Sequence, residues 1–341
     1  MTGPAVAAPA VGLNLHSHLE GSVRPATAAQ LAEELGIPSP SEGWEAALRM
    51  REPGTLTEFL VHVAHAYPLF RSPGAVYRLV REAVEDSMLD GQAFLELRFG
   101  PATHAGPSMP LHAVVDAAST GLRDASRETG MPAGLIVCAL RHHDPDTNRE
   151  VARAAAAFAG RGVVGFDVAG DELLFPSLEP MRESFAIASA AGLGLTAHAA
   201  EAGPASAVRD AVELLGVARI GHGSRVADDP ELLRWTADAG ICIEVCPTSN
   251  VLTGATPSHE RHPVRAFLDA GCRVVVGDDD PTTTGSRLAA EITALNDRVG
   301  LDASQVMAIQ ATSLEVAFAD ASTRAAIRER LLANAAGARE A

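Results

Sequence analysis

Val274–Pro281 reads VVVGDDDP, an apolar run that ends in three consecutive aspartates. Three other short apolar segments end in residues that commonly bind metal ions: Leu15–His18 (LHSH), Thr196–His198 (TAH) and Ile220–His222 (IGH). Three imidazoles and a carboxylate can together hold a divalent cation. Strand ends converge at one mouth in a parallel barrel, so these segments predict a shared metal site. A metal-dependent hydrolase is therefore the leading hypothesis.

The whole chain alternates short apolar runs with longer amphipathic stretches, which predicts an α/β fold, a TIM (β/α)8 barrel. The predicted strands are Val11–His16, Ala93–Phe99, Gly134–Leu140, Gly162–Asp167, Leu193–His198, Ala218–His222, Ile241–Cys246 and Cys272–Gly277. The clearest helices are predicted at Ala205–Leu215, Asp229–Ala239 and Pro263–Ala270, each followed by a glycine suited to a C-cap. We expect residues 1–341 to form a single barrel domain.

The connection between the first two strands is far longer than a barrel needs. It predicts a helical insertion over about residues 25–90 that lies over the barrel mouth as a lid. Within it, Phe59, Leu60 and Val63 fall on one helical face. Ordinary helix packing and a pocket wall both explain that face.

Composition limits the possible partners. Of 341 residues, 47% are hydrophobic, and the formal charge of −16 would repel nucleic acid and anionic membranes. Met1–Ala10 has no basic or long apolar stretch, and no later segment has membrane-spanning length, so we expect a cytoplasmic protein. The four cysteines, Cys138, Cys242, Cys246 and Cys272, are expected to be buried thiols. We expect a small-molecule substrate, and the oligomeric state stays open.

His16 and His18 are two residues apart, so on a strand both imidazoles point to the same face. His198, His222 and Asp279 also fall at strand ends. A catalytic zinc ion needs an open position, which leaves one histidine for proton transfer or for orienting the nucleophile. His222, between two glycines, suits that task as a base or an electrostatic orienter.

Three further positions carry residues that could take part in catalysis or in binding. Glu201 follows His198 by three residues, and a partly apolar mouth would raise its pKa and make it a proton donor. A solvated loop acid near a helix N-terminus is the alternative. Asp278–Asp280 places three carboxylates side by side, which is unfavourable unless a cation neutralises them. Gly170 lies where a strand end passes into a loop, and its backbone N–H, with no side chain beside it, could contact a planar substrate.

Taken together, these segments resemble the adenosine deaminase family of metal-dependent purine aminohydrolases. The matching segments occur in family order: His16–Ser22 (HSHLEGS), Phe94–Phe99 (FLELRF), Asp167–Glu172 (DVAGDE), His198–Glu201 (HAAE), Arg219–Gly223 (RIGHG), Cys246–Asn250 (CPTSN) and Asp279–Pro281 (DDP). They extend over nearly the whole chain, from Val11 to about Phe318.

The resemblance implies a barrel enzyme that holds Zn2+ on His16, His18, His198 and Asp279. It implies that zinc activates a water molecule for attack on C6 of a purine, with ammonia leaving and a 6-oxo product remaining. By the same resemblance, the catalytic residues are Glu201, which protonates ring N1, His222, which assists the nucleophile, and Asp280, which orients it. Gly170, Glu20 and His18 are expected to contact the substrate.

The chain departs from the family pattern in three places. Ala200 replaces a glycine, and its added methyl group would either crowd the pocket or disfavour a positive φ angle. Gly277 and Asp278 replace Asn and Ser or Thr, and the added acid would either raise neighbouring pKa values or face solvent. Glu20 replaces the Asp of adenosine-specific members and matches the Glu of free-adenine deaminases.

Ser22–Pro25 (SVRP) resembles the bacterial adenosine-type sequence, so a 6-aminopurine nucleoside is the first substrate hypothesis. Adenine and a modified nucleoside such as aminodeoxyfutalosine are the alternatives within the same chemistry. From other classes, a purine-binding protein without catalysis and an ester or lactone hydrolase also remain open.

Overall fold

The computed structural model describes residues 12–337 and forms a ring of eight parallel strands inside a layer of helices. The strands are β1 Gly12–His18, β2 Gln92–Phe99, β3 Ala133–Leu140, β4 Val163–Ala169, β5 Gly194–Ala199, β6 Arg219–His222, β7 Cys242–Val245 and β8 Arg273–Val276. Each strand pairs with the next along the chain. The predicted TIM barrel is confirmed.

The helices within the described range are α1 Pro25–Leu35, α2 Trp44–Leu48, α3 Leu56–Ala64, α4 Pro73–Leu89, α5 Leu111–Thr129, α6 Pro145–Ala157, α7 Arg182–Ala190, α8 Ala207–Leu215, α9 Pro230–Asp238, α10 Pro247–Leu252, α11 Val264–Asp269, α12 Pro281–Thr284, α13 Leu288–Asp297, α14 Ala303–Val316 and α15 Ala321–Gly337. The three helices predicted after strands five to seven correspond to α8, α9 and α11. Gly216 has a φ of 68° and caps α8, as its sequence position predicts.

The first and last strands meet where the metal ligands were predicted. A parallel bridge joins Ser17 to Asp279, with His18 N–H donating to Asp279 O at 2.6 Å and Asp279 N–H donating to His16 O at 2.9 Å. Because of these bonds, β1 continues through His18 and does not end at His16 as predicted. Val11, where the predicted strand begins, and Met1–Ala10 lie outside the described residues.

The core lies mainly between the strands and their covering helices. Phe166 of β4 packs edge-on against Phe185 of α7, with ring centroids 5.1 Å apart, and both side chains are buried. The four cysteines are buried and unpaired, as predicted. No helix within residues 12–337 combines the length and apolarity needed to cross a membrane.

The long connection between β1 and β2 contains helices α1 to α4, so its predicted helical character is confirmed. Helix α3 begins with a capping box, in which Thr55 Oγ1 accepts from Glu58 N–H while Glu58 Oε2 accepts from Thr55 N–H. Thr57 Oγ1 then donates to Asp171 Oδ2 at 2.5 Å, across the mouth of the barrel. These contacts fix α3 beside the carboxyl ends of the strands.

Candidate active site

The structure brings together the four predicted metal ligands. His16, His18, His198 and Asp279 each offer one ligand atom, and these atoms all lie within 4.8 Å of one another. His16 Nε2 is buried, has no hydrogen-bond partner in the described part of the chain, and lies 3.2 Å from Asp279 Oδ1. A cation bound between this nitrogen and the carboxylate oxygen would satisfy the bonding needs of both atoms. Three nitrogens and one oxygen also suit zinc, so the residues fit this metal.

Two buried carboxylates orient the histidines from below. Glu244 Oε2 lies 2.7 Å from His16 Nδ1, and Asp167 Oδ2 lies 3.1 Å from His198 Nδ1. Each carboxylate accepts from Nδ1–H, which leaves Nε2 free to bind a cation. Arg98 donates to both carboxylates, at 2.9 Å in each case. One buried guanidinium therefore balances the charge behind two ligands.

A second arginine extends this network across the floor of the barrel. Arg219 donates to Glu244 Oε1 and to Glu96 Oε2, both at 2.6 Å. We assigned no role to Glu244, Glu96 or the two arginines from sequence. The sequence did contain a signal for these residues: they are charged but lie inside apolar strand segments, and charged residues are rarely buried without partners.

Glu201 occupies a buried position beside the ligands. Its Oε1 accepts from Thr253 Oγ1–H at 3.0 Å, and its Oε2 lies 3.6 Å from His222 Nε2. Burial, with the nearby charges of Asp279 and Glu172, raises the pKa of Glu201 to about 8. The solvated-loop alternative for this residue does not fit a side chain that is 5% exposed. In the metal-free protein this environment therefore favours the protonated form of the carboxyl.

The loop that presents Glu201 is held by a carboxylate that sequence reasoning assigned no role. Glu172 accepts hydrogen bonds from four consecutive backbone N–H groups, those of residues 200–203, at 2.9 to 3.0 Å. Ala200, the first of these four residues, has a φ of 55°, the left-handed conformation that an alanine was expected to disfavour.

Backbone strain is concentrated at this site. Within the described chain, the non-glycine residues with positive φ are Ala200, His222 and Asp279, at 55°, 64° and 59°. Each belongs to or adjoins the proposed catalytic set. Left-handed conformations cost about 1–2 kcal/mol per residue and persist where surrounding contacts enforce them. The three together indicate that the fold holds these residues in fixed positions.

The aspartates after β8 are all buried. Burial raises the pKa of Asp278 to about 6. Burial and the charge of Asp279 raise the pKa of Asp280, and Asp278 is among the acids that add smaller contributions. The structure therefore favours the expectation that Asp278 raises neighbouring pKa values, and its burial excludes the alternative in which it faces solvent. Gly277 is required by packing, because a Cβ there would lie 2.5 Å from both the Cβ and the carbonyl oxygen of His16.

Glu20 lies on the wall of the cavity, fixed by two donors. Its Oε1 accepts from Gly100 N–H at 2.9 Å and from His104 Nε2–H at 3.0 Å. The His104 ring stacks on Phe70 with centroids 4.1 Å apart. No role was assigned to His104 from sequence, because nothing in the sequence places residue 104 beside residue 20.

A cavity of about 380 Å³ opens above the ligands. One wall is apolar and comes from α3, where Phe59, Leu60 and Val63 line it as the pocket-wall alternative predicted. Gly170, with a φ of 113°, also lines the cavity. Among the described residues, the lining includes several carboxyls but no lysine or arginine.

Comparison with known proteins agrees with this geometry. The adenosine deaminase family model matches residues 12–334. An adenine deaminase from Chelativorans sp. is 34% identical over 317 residues, covering 93% of this chain and 96% of its own. An adenosine deaminase from Clostridium perfringens is 32% identical over 310 residues, covering 90% and 93%.

Two solved structures are also similar to this chain over nearly its whole length. An adenine deaminase from Arthrobacter aurescens superposes with a TM-score of 0.86 at 26% identity, over 95% of this chain and 98% of that one. An amidohydrolase from Burkholderia ambifaria with bound Zn superposes with a TM-score of 0.84 at 27% identity, over 96% and 93%.

Proposed function

The chain belongs to the adenosine deaminase family, and we propose that it catalyses the zinc-dependent hydrolysis of a 6-aminopurine nucleoside to the 6-oxo product and ammonia. One observation carries the proposal: Glu201, a buried carboxyl whose pKa is raised to about 8 in the metal-free protein, lies beside four residues that can hold zinc. A proton donor and a site for an activated water thus share one cavity, as hydrolytic deamination requires.

Bound zinc would supply a water molecule of lowered pKa as the nucleophile. Glu201 protonates ring N1, which draws electron density away from C6 as the nucleophile adds. Gly170 offers its backbone N–H to the far side of the base, and Asp280 orients the nucleophile. The attacking water supplies both hydrogen atoms that the reaction needs: one restores the proton that Glu201 gives to N1, and the other reaches the amino nitrogen, which then leaves as ammonia.

The cavity supports a substrate larger than a bare purine. Its 380 Å³ falls in the range of pockets for drug-sized ligands, about 300–1,000 Å³. The lining carries no cationic side chain in the described structure and several acids, so an uncharged substituent suits it better than a phosphate. These features favour a nucleoside, with Glu20 as the acceptor on the sugar side.

Adenine is the second candidate, and Glu20 is the observation that favours it. With Oε1 held by Gly100 and His104, the remaining oxygen can accept the N9–H of a free base. This interaction is lost when N9 carries a sugar.

The test is turnover of zinc-loaded protein on adenosine, adenine and aminodeoxyfutalosine side by side, with ammonia measured in parallel. Preference for adenosine would support the first proposal, and preference for adenine the second. Release of ammonia from none of them, with zinc bound, would overturn the deaminase proposal. Ester hydrolysis without purine turnover would favour the hydrolase alternative.

A His104→Phe variant examines the Glu20 side of the pocket. Phenylalanine keeps the stacking on Phe70 but removes the donor to Glu20. We expect KM to rise about 10-fold with a smaller change in kcat, as for the loss of a hydrogen bond to a charged group. A His104→Gln variant, which restores an N–H donor, should recover much of that loss. Equal kinetics in all three proteins would exclude a role for this contact.

A further inference from the structure

His222 is linked to a chain of buried hydrogen bonds that the proposed mechanism does not use. The chain begins at the backbone N–H of Val264, which donates to His262 Nδ1 at 3.2 Å. A backbone amide can only donate, so His262 Nδ1 must be an acceptor. Burial lowers the pKa of His262 to about 3, so its ring is neutral and carries its single proton on Nε2.

The direction of the next bond follows from this tautomer. His262 Nε2 lies 3.1 Å from Asn250 Oδ1 and donates to it. Cys246 N–H approaches the same oxygen at 3.4 Å, a second donor that fixes which end of the amide is the carbonyl. Asn250 is fully buried, so its amide has no water with which to exchange partners. Its NH₂ group therefore faces the other way.

That NH₂ group meets His222. Asn250 Nδ2 lies 3.0 Å from His222 Nδ1, so Nδ1 must accept the hydrogen bond. A neutral His222 then carries its proton on Nε2. This nitrogen points into the catalytic cavity, 3.6 Å from Glu201 Oε2.

We propose that Asn250 and His262 are positioning residues that hold His222 as the Nε2–H tautomer, so that His222 donates a hydrogen bond in the active site and does not act as a base. Of the two alternatives for His222, this proposal keeps the orienter and excludes the base. A base would need a free lone pair on Nε2, and the chain of donors starting at Val264 places that lone pair on Nδ1. The nucleophile's proton must accordingly pass to a carboxylate of the same cavity, and Glu201 becomes one once it has protonated N1. The catalytic consequence rests on the proposed function, whereas the tautomer does not.

The direct test reads the tautomer without any reaction. Long-range ¹H–¹⁵N correlation spectra of the metal-free, ¹⁵N-histidine-labelled protein distinguish a protonated from an unprotonated ring nitrogen. His222→Gln identifies the His222 signals by their disappearance. We expect His222 to show a protonated Nε2 and an unprotonated Nδ1. A proton on Nδ1 in the wild type would overturn the proposal.

Asn250→Asp reverses the direction of the last bond, because a carboxylate can only accept. We expect the His222 proton to move to Nδ1 in this variant. With zinc bound and an active substrate, kcat should fall about 100-fold, as when a preorganised donor is lost, while KM and zinc content change little. Asn296→Asp, at an exposed position of α13, is the matched control and should alter neither readout.

His262 provides the second pair of variants, in case Asn250→Asp fails to fold. His262→Gln retains a donor toward Asn250, whereas His262→Leu removes it. We expect His262→Gln to keep the wild-type His222 spectrum and His262→Leu to give a mixture of tautomers with reduced kcat. An unchanged His222 spectrum in both Asn250→Asp and His262→Leu would refute the proposal. Zinc-loaded wild type that shows the expected His222 tautomer but deaminates none of the purine substrates would instead refute the proposed function alone.

Discussion

Replacing Glu201 with Gln should make the stability of the metal-free protein less sensitive to alkaline pH. Glu201 has a pKa of about 8 in the folded protein, against an ordinary value of 4.5. A raised carboxyl pKa means that the folded state binds the proton more tightly than the unfolded chain. The contribution of Glu201 to stability is therefore fully present below pH 4.5 and is lost as the pH rises through 8.

The size of the effect follows from the two pKa values. At about 1.4 kcal/mol per pKa unit, the ionisation of Glu201 removes about 5 kcal/mol of stability by pH 9. Glutamine has nearly the same shape, remains neutral, and can accept the hydrogen bond from Thr253. The difference in unfolding free energy between Glu201→Gln and wild type should grow from near zero at pH 4.5 to a maximum above pH 8. Five kcal/mol is its upper limit, because nearby carboxyls adjust as well.

The assay is urea denaturation of both proteins at pH 5, 7 and 9 in the presence of a chelator. Metal must be absent, because a bound dication would stabilise the carboxylate and hide the effect. Glu213→Gln, at an exposed position of α8, is the control and should show the same small difference at every pH. A Glu201→Gln difference that stays constant from pH 5 to pH 9 would refute the account of Glu201 as a buried, protonated acid.

Other positions give independent predictions. Ala200→Gly should raise the unfolding free energy by about 1 kcal/mol by relieving the positive φ, and a decrease in urea denaturation would contradict that reasoning. Gly277→Ala should lower zinc content after dialysis, because the new Cβ would collide with His16, whereas Gly106→Ala, whose Cβ would meet nothing within 4 Å, should bind zinc as the wild type does. Arg98→Met should destabilise the protein by about 3–5 kcal/mol by leaving two buried carboxylates without their shared cation, and a denaturation midpoint equal to that of the wild type would exclude this role.

The barrel and the group of candidate metal ligands could be predicted from the sequence because each depends on a local pattern repeated along the chain. Apolar runs identify strands, and in a parallel barrel the end of every strand lies at the same mouth. His16, His18, His198, His222 and Asp279 could thus be grouped without knowing any contact between them, and the family resemblance then implied that His16, His18, His198 and Asp279 hold the metal. The structure confirms that their ligand atoms lie together.

The supporting residues could not be assigned in this way because their partners depend on the register between distant strands. Glu244 and Asp167 are charged residues within apolar strands, which indicates buried partners but does not identify His16 or His198 as those partners. The contact between Glu20 and His104 joins residues 84 positions apart through a loop. The length of β1 was also misjudged, because Ser17 and His18 look like loop residues until Asp279 pairs with them.

The most direct test of the central claim compares zinc-loaded wild type with Glu201→Gln on adenosine and adenine, measuring 6-oxopurine and ammonia together. The account predicts one ammonia for each 6-oxopurine in the wild type. It also predicts a loss in kcat of about 10²–10⁴-fold in Glu201→Gln, with purine binding retained, as expected when a general acid is removed. Glu201→Gln protein that turns over as fast as wild type, or zinc-loaded wild type that releases ammonia from neither substrate, would contradict it.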